Sequence, residues 1–320
     1  MKIVLPLAGK GTRLLPHTEI IPKPLMFLAG KIILDYLLED LIPLQPTEFV
    51  FITGYLKDQI ETHIRKNYTN LPARFIEQHN PHGLGHAVYQ ARDAFAKDEN
   101  MLVVLGDQTF TIDWKKMLSP DSNRISVMNV ENPSSFGVVL TDPEGFVLEM
   151  EEKPEHPKSK TIITGTYYFQ SAQEVFATLA HQIAHNIQTR NEIQITDTMK
   201  LMMEHGSVFN TLNITDWNDC GNHEDLIQAN KTLLKKKGSY IPHSYPENVQ
   251  IFEPVWIDKS AILENVSIGP NVSIGAESFL KDTIVSDTIV SKNVRIEDCQ
   301  LSECYITQNI TGVVDKNLYA

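Results

Sequence analysis

Leu7-Ala8-Gly9-Lys10-Gly11-Thr12-Arg13-Leu14-Leu15-Pro16, with Pro22-Lys23-Pro24 behind it, is the stretch on which the fold turns. It follows the β-rich run Ile3 to Leu7, is rich in glycine, and sets Arg13 and Lys23 ten residues apart. A strand opening into a glycine loop with fixed cations suits a polyphosphate, whose oxygens can be met by backbone N–H groups and by positive side chains. Two other phosphate loops fail on spacing. A Walker loop needs Ser or Thr after Gly-Lys, and Gly11 stands there; a dinucleotide fingerprint needs a third glycine, and Leu14 stands there.

Outward from this loop, short β-rich runs alternate with helical periodicity. Ile3 to Leu7, Glu48 to Ile52, Arg74 to Ile76 and Met101 to Leu105 read as strands; Ile33 to Ile42, Leu56 to Lys66 and Gly85 to Phe95 carry the spacing of amphipathic helices. That alternation implies βαβ units and a mostly parallel sheet, with ligands beyond the carboxyl ends of the strands. Loops 8 to 24, 79 to 86 and 106 to 111 are therefore the expected site.

After residue 240 the texture changes. Pro242, Pro246 and Pro254 break helical continuity, and apolar residues then recur every five to seven positions, at Leu263, Ile268, Ile274, Phe279, Ile284, Ile289, Val294, Leu301 and Ile306. The step predicts a short left-handed parallel β-helix over 250–320, following an α/β domain over 1–240. So short a solenoid leaves both ends open and is expected to dock on the first domain, on a second copy of the chain, or on both.

Composition bounds the rest. The 320 residues are 42 % apolar and 21 % charged, which excludes a disordered tail protein, and the net charge of −12 argues against general affinity for nucleic acid. Against that balance, the first 31 residues carry Lys2, Lys10, Arg13, Lys23 and Lys31 with Glu19 as the one carboxylate. Three cysteines without a CxxC pair form neither a disulfide framework nor a zinc site, and no run approaches the roughly 20 apolar residues of a membrane helix. His181 and His185, four apart, have no third metal ligand in view. A soluble, cytoplasmic protein without a membrane partner is expected.

The Gly9-to-Lys23 string resembles the signature of the sugar-1-phosphate nucleotidylyltransferases, and further segments appear in the family's order. These are Gly83-Leu84-Gly85-His86-Ala87, Gly106-Asp107, Phe136-Gly137-Val138, Glu151-Glu152-Lys153-Pro154, Thr164-Gly165, the run 192–197 and Trp217-Asn218-Asp219-Cys220-Gly221. The resemblance implies a Rossmann-like nucleotidyltransferase domain. It also implies a reaction in which a hexose 1-phosphate attacks the α-phosphorus of UTP or dTTP, giving a nucleotide-sugar and pyrophosphate. Both reactants are anions, so cations and alignment matter more than a strong base.

By the same resemblance Arg13 and Lys23 are catalytic, with Arg13 on the leaving pyrophosphate and Lys23 near the α-phosphate. Leu7, Ala8, Gly9, Gly11, Thr12, Gly83, His86 and Gly106 would bind the nucleotide; Gly137, Glu152, Lys153, Ile163 and Trp217 would bind the sugar phosphate. Asp107 and Asp219 would hold Mg²⁺. Helix capping is the alternative for each aspartate, Trp217 is packing as much as function, and Lys10 lies at a variable motif position. His86 departs from the pattern: many relatives that read a pyrimidine carry Gln there, whose amide offers a donor and an acceptor together. The rivals are a non-catalytic nucleotide-sugar sensor, a GTP and mannose 1-phosphate enzyme, and a bifunctional enzyme whose β-helix transfers an acyl group. Residues 250–320 contain no histidine, which favours a scaffold role over acyl transfer, and the open ends of so short a solenoid lead to the expectation of a homo-oligomer assembled through the β-helix.

Overall fold

The computed structural model describes residues 1–312, so the last eight residues of the expected β-helix lie outside the described residues. The chain forms two compact units, Met1–Gly9 with Asp40–Gly106 and Phe110–Trp217, and Lys10–Glu39 with Asp107–Thr109 and Asn218–Ala320.

In the first unit the strands Ala73–Glu77, Glu48–Thr53, Lys2–Pro6 and Met101–Val104 lie side by side, all parallel. Glu48–Thr53, Lys2–Pro6 and Met101–Val104 are near-continuous apolar runs because both faces are covered, with Ile3, Val4, Leu5, Phe51 and Val103 fully buried, whereas the edge strand Ala73–Glu77 is only half-buried and carries an exposed Arg74. These are the four strands read from sequence, shifted by a residue at the ends. Antiparallel pairing enters later: Thr161–Phe169 runs against Met101–Val104, against Asn123–Asn129 and against Gly137–Thr141, which forms a hairpin with Val147–Glu152. Among the described residues the sheet is nine-stranded and mixed.

In the second unit, residues 249–311 wind as parallel coils. Val249 pairs with Val266, Val255 with Val272, and Ile262 with Phe279, a repeat of 17 residues; Phe279 with Arg295 and Ile289 with Tyr305 give 16. Each corner needs a left-handed residue, and the chain supplies mostly Asn and Asp, which tolerate it: Asn265, Asp282 and Asp298 in one column, Asn271, Asp287 and Glu303 in the next. Leu263, Leu280 and Ile296 stack inward, as do Ile268, Val285 and Leu301. Phe279 and Ile284 do not. Neighbours on a strand point to opposite faces, so with Leu280 and Val285 inside, Ile284 is 53 % exposed and Phe279 lies under the Arg295 guanidinium.

The same unit holds the glycine loop. Leu14, Met26, Leu28 and Ile33 pack with Leu226 and Leu234 of the helix His223–Lys237 and with Ile289 and Tyr305 of the coils. Among the described residues no helix is long and apolar enough to cross a membrane.

Candidate active site

The second unit gathers charge around Lys23. Lys23 opens a 3₁₀ turn, Lys23–Leu25, between Pro22 and Pro24, and its ammonium donates to Oδ2 of Asp107 at 2.7 Å. Lys23 is 8 % exposed, so its partner is a structural necessity; burying an ammonium without one is costly. Burial alone would raise the Asp107 pKa, but the charge and hydrogen bond of Lys23, with the charge of Arg13, hold it below the usual carboxylate value. Asp219 titrates the other way. Burial first, then the negative charge of Asp107, push it up to about 6 against the pull of Lys23 and Arg13. One backbone and one side-chain hydrogen bond bring the aspartates together: Cys220 N–H donates to the Asp107 carbonyl at 2.9 Å, and the Asn218 side-chain amide donates to Thr109 Oγ1 at 3.1 Å.

Gly221 separates Arg13 from Asp219. A Cβ built there would stand 2.8 Å from Arg13 Nη2 and 2.8 Å from Asp219 Oδ1, so only glycine leaves both in place. Gly11 is fixed by its backbone, left-handed at φ +64°, with its carbonyl accepting from Leu14 N–H and from the Thr18 hydroxyl. Thr12 and Arg13 follow in an exposed 3₁₀ turn, and Lys10 is exposed.

The first unit carries the remaining predicted residues in two groups. Gly83 (φ +97°) and Gly85 lie against the backbone of Ile193: Gly85 N–H donates to its carbonyl at 2.8 Å, and a Cβ at either glycine would come within 3 Å of that oxygen. His86 then stands between two amides, Gln78 Nε2 at 2.8 Å from Nδ1 and Gln90 Nε2 at 3.1 Å from Nε2. Burial and the nearby His82 lower its pKa, so the ring is neutral and has one lone pair; one of the two glutamines must turn its oxygen toward the ring. Leu7, Ala8 and Gly106 line the strand ends, where Gly106 leaves no space for a Cβ beside the Leu7 side chain and Ala8 packs against Gly54. An added Cβ at Gly9 meets nothing within 4 Å.

In the second group, Gly137 faces Glu152, Ile163 and Thr196, each 3.1 Å from where its Cβ would be. The Thr196 hydroxyl donates to Glu152 Oε2 at 2.6 Å, and Lys153 Nζ lies 3.6 Å from Oε1. Lys153 is left-handed at φ +46°, a costly conformation for a residue with a Cβ. It is held there by its N–H on the Phe136 carbonyl at 3.0 Å and by Arg190 Nη2 on its own carbonyl at 2.9 Å. Trp217 packs edge-on against Phe136 at 5.7 Å.

Sequence reading missed Gln78, Thr196, Arg190 and Gly221 as partners. Thr196 and Gly221 lay inside quoted motifs, and a glycine two residues after an acid is a readable signal for close approach; Gln78 and Arg190 lay outside any motif.

Among the described residues no group of three or more His, Cys, Asp or Glu is arranged to hold a metal ion. A carboxylate whose ionisation is made costly by burial and by a second carboxylate is nonetheless part of a donor set that a hard cation relieves, and Mg²⁺ commonly takes one or two carboxylates with waters and phosphate oxygens.

Three relatives and one solved structure bear on these groups. The bifunctional protein GlmU of Methanocaldococcus jannaschii is 36 % identical over 262 residues, 82 % of this chain; the chain spans about six-tenths of that relative's length, at 61 %. A glucose-1-phosphate thymidylyltransferase of Streptomyces antibioticus is 30 % identical over 89 % of this chain and 81 % of its own. The UTP--glucose-1-phosphate uridylyltransferase AglF of Haloferax volcanii is 30 % identical over 74 % of this chain and 98 % of its own. A solved UDP-glucose pyrophosphorylase in complex with UDP-glucose shares the fold with a TM-score of 0.64 at 24 % identity, covering 74 % of this chain and 99 % of that one. Residues 2–236 match the pattern of the Nucleotidyl transferase family, and the chain belongs to that family.

Proposed function

We propose that the protein joins a hexose 1-phosphate to a nucleoside triphosphate, releasing pyrophosphate and a nucleotide-sugar, with UTP or dTTP and glucose 1-phosphate as the first substrates to test. The observation that carries this reading is the Lys23–Asp107 ion pair beside Asp219 and Arg13, two cations and two carboxylates on loops whose glycines let these side chains stand close together. The thymidylyl- and uridylyltransferase relatives support the choice of substrates.

The chemistry asks for little beyond placement and charge. Arg13 would hold the departing pyrophosphate, Lys23 would shift from Asp107 toward the α-phosphate as negative charge builds there, and Lys153 would hold the phosphate of the incoming sugar. Glu152, oriented by Thr196, would accept from sugar hydroxyls. His86 would reach the base, its tautomer set by Gln78 and Gln90. Gly9, whose glycine no contact of the chain explains, suits close approach of a phosphate to backbone N–H groups. Asp107 and Asp219 would hold Mg²⁺, which when bound would neutralise part of the triphosphate charge.

This division gives the catalytic work to residues 1–240 and an assembly role to the β-helix over 250–320, with a homo-oligomer of cytoplasmic enzyme as the expected form. Incubating purified protein and Mg²⁺ with each common triphosphate against a panel of sugar 1-phosphates, reading pyrophosphate, tests the proposal. Release with UTP or dTTP and glucose 1-phosphate is expected; no release with any pair would overturn it, and release with GTP and mannose 1-phosphate alone would replace the substrates.

A further inference from the structure

The segment that carries Lys23 is fastened at both ends to one coil of the β-helix. At one end, Nδ1 of His17 lies 3.0 Å from the Thr307 hydroxyl. At the other, the N–H of Phe27 donates to the Tyr305 hydroxyl at 2.9 Å. Tyr305 is fully buried and His17 is 3 % exposed, with their rings edge-on at 5.2 Å. The Asp219 side is tied to the same coil: His223, which starts the helix after Asp219 and Gly221, has its Nε2 3.0 Å from the Glu303 carbonyl. A carbonyl only accepts, so that nitrogen carries the proton. Further contacts continue along the loop, where Asn230 accepts from Ala29 N–H at 3.0 Å and from the Ser273 hydroxyl at 2.7 Å, and the Trp256 ring packs on Phe27 and closes over Gly30.

Lys23 lies between the two fastenings, four residues from Phe27 and six from His17, in a turn too short to correct a displacement of its ends. We infer that Tyr305 and Thr307 are positioning residues for Lys23, so that the β-helix sets the rate of nucleotidyl transfer as well as serving any role in assembly. The inference rests on the reading of Lys23 given above. It makes the solenoid a working part of the active site although none of its side chains is asked to touch substrate. Small misplacements of a charge aimed at a transition state are costly in rate, whereas substrate affinity is spread over many groups.

A double-mutant cycle on the full-length chain tests this, using Tyr305→Phe, Lys23→Ala and the pair, with kcat and KM from pyrophosphate release. Tyr305→Phe keeps the ring and removes the acceptor for Phe27 N–H. With Lys23 present it is expected to lower kcat about tenfold while KM for the triphosphate stays within about twofold. With Lys23 already replaced, it should change kcat by less than about twofold. Equal losses in both backgrounds would mean a general effect on folding and would overturn the inference, as would an undiminished Tyr305→Phe enzyme when Lys23→Ala is impaired. A Lys23→Ala enzyme with full kcat would instead remove the reading of Lys23 itself, and with it the inference. If Tyr305→Phe does not fold, Thr307→Val, which loses only the hydroxyl facing His17, enters the same cycle with the same criteria.

Discussion

The Lys23 ammonium donates to Oδ2 of Asp107 across 2.7 Å, with the lysine almost wholly out of water. In the proposed reaction the pair exchanges partners. A cation at Asp107 would free Lys23 for phosphate, and until then each neutralises the other. Lys23→Ala leaves Asp107 with Arg13 as its remaining positive neighbour, and Asp107→Asn leaves Lys23 bonded to a neutral amide. Each is expected to lower kcat by roughly 10²-fold or more, since each removes charge that the proposed reaction calls on in the transition state. Asp107→Asn should in addition raise the Mg²⁺ concentration needed for half-maximal rate. Metal titrations of pyrophosphate release on both variants check this, and a near-normal rate in Asp107→Asn would sink its assignment as a ligand.

His17 predicts a pH dependence of stability. Burial, then the neighbouring His223, lower its pKa from 6.5 to about 4. The unfolded chain therefore binds a proton at His17 that the folded chain refuses between pH 6.5 and 4. Stability should be full above pH 6.5, fall as the pH drops through that window, and level off below about 4, a loss from this one group on the order of 3 kcal/mol. His17→Asn, which keeps a polar partner for Thr307 and does not titrate there, should flatten the curve in that window. Denaturant midpoints of both proteins from pH 7 to 4 test it, and parallel curves would show that His17 is not responsible.

Glu152 is oriented by Thr196 through the 2.6 Å hydroxyl bond and accompanied by Lys153 at its other oxygen. Thr196→Val preserves shape and removes the donor. The expected result is a rise of about tenfold in KM for the sugar phosphate, with KM for the triphosphate unchanged, because the loss falls on sugar orientation. Initial rates with each substrate varied in turn distinguish the two. Equal changes in both constants would mean that Thr196 serves the fold alone.

How far these features could be read beforehand depended on how local their causes are. Three of the four parallel strands were legible because burial on both faces makes them apolar runs, and Gly11 and Gly83 because glycine takes a positive φ at no steric cost. The coil period was legible while the choice of inward residue was not: Ile284 and Val285 are both aliphatic, and the corner at Asp282 decides which one faces in. The ties from Tyr305 to Phe27 and from Thr307 to His17 join residues nearly 300 positions apart, and no motif marks either end. Lys153 shows an intermediate case. Its place in the run 151–154 pointed to a role, but the left-handed backbone that aims it depends on the carbonyl of Phe136 and on Arg190.

Gly221→Ala separates activity from folding. Gly221 does not have a left-handed backbone, so alanine brings no conformational penalty, and the nearest atoms to its Cβ are the tips of Arg13 at 2.8 Å and Asp219 at 2.8 and 2.9 Å. Side-chain tips can swing aside at little cost, so thermal stability should change by less than about 1 kcal/mol. Swinging them aside moves the guanidinium proposed to hold pyrophosphate and the carboxylate proposed to hold the metal, and kcat should fall about 10²-fold. Gly11→Ala makes the contrast: its φ of +64° and the Thr18 methyl at 3.0 Å put strain into the backbone itself, and stability should drop by about 1 kcal/mol or more. Melting curves and pyrophosphate release measured on both variants test the pair. A Gly221→Ala protein that melts like the parent and turns over like it would show that Arg13 and Asp219 need not stand so close for the reaction to proceed.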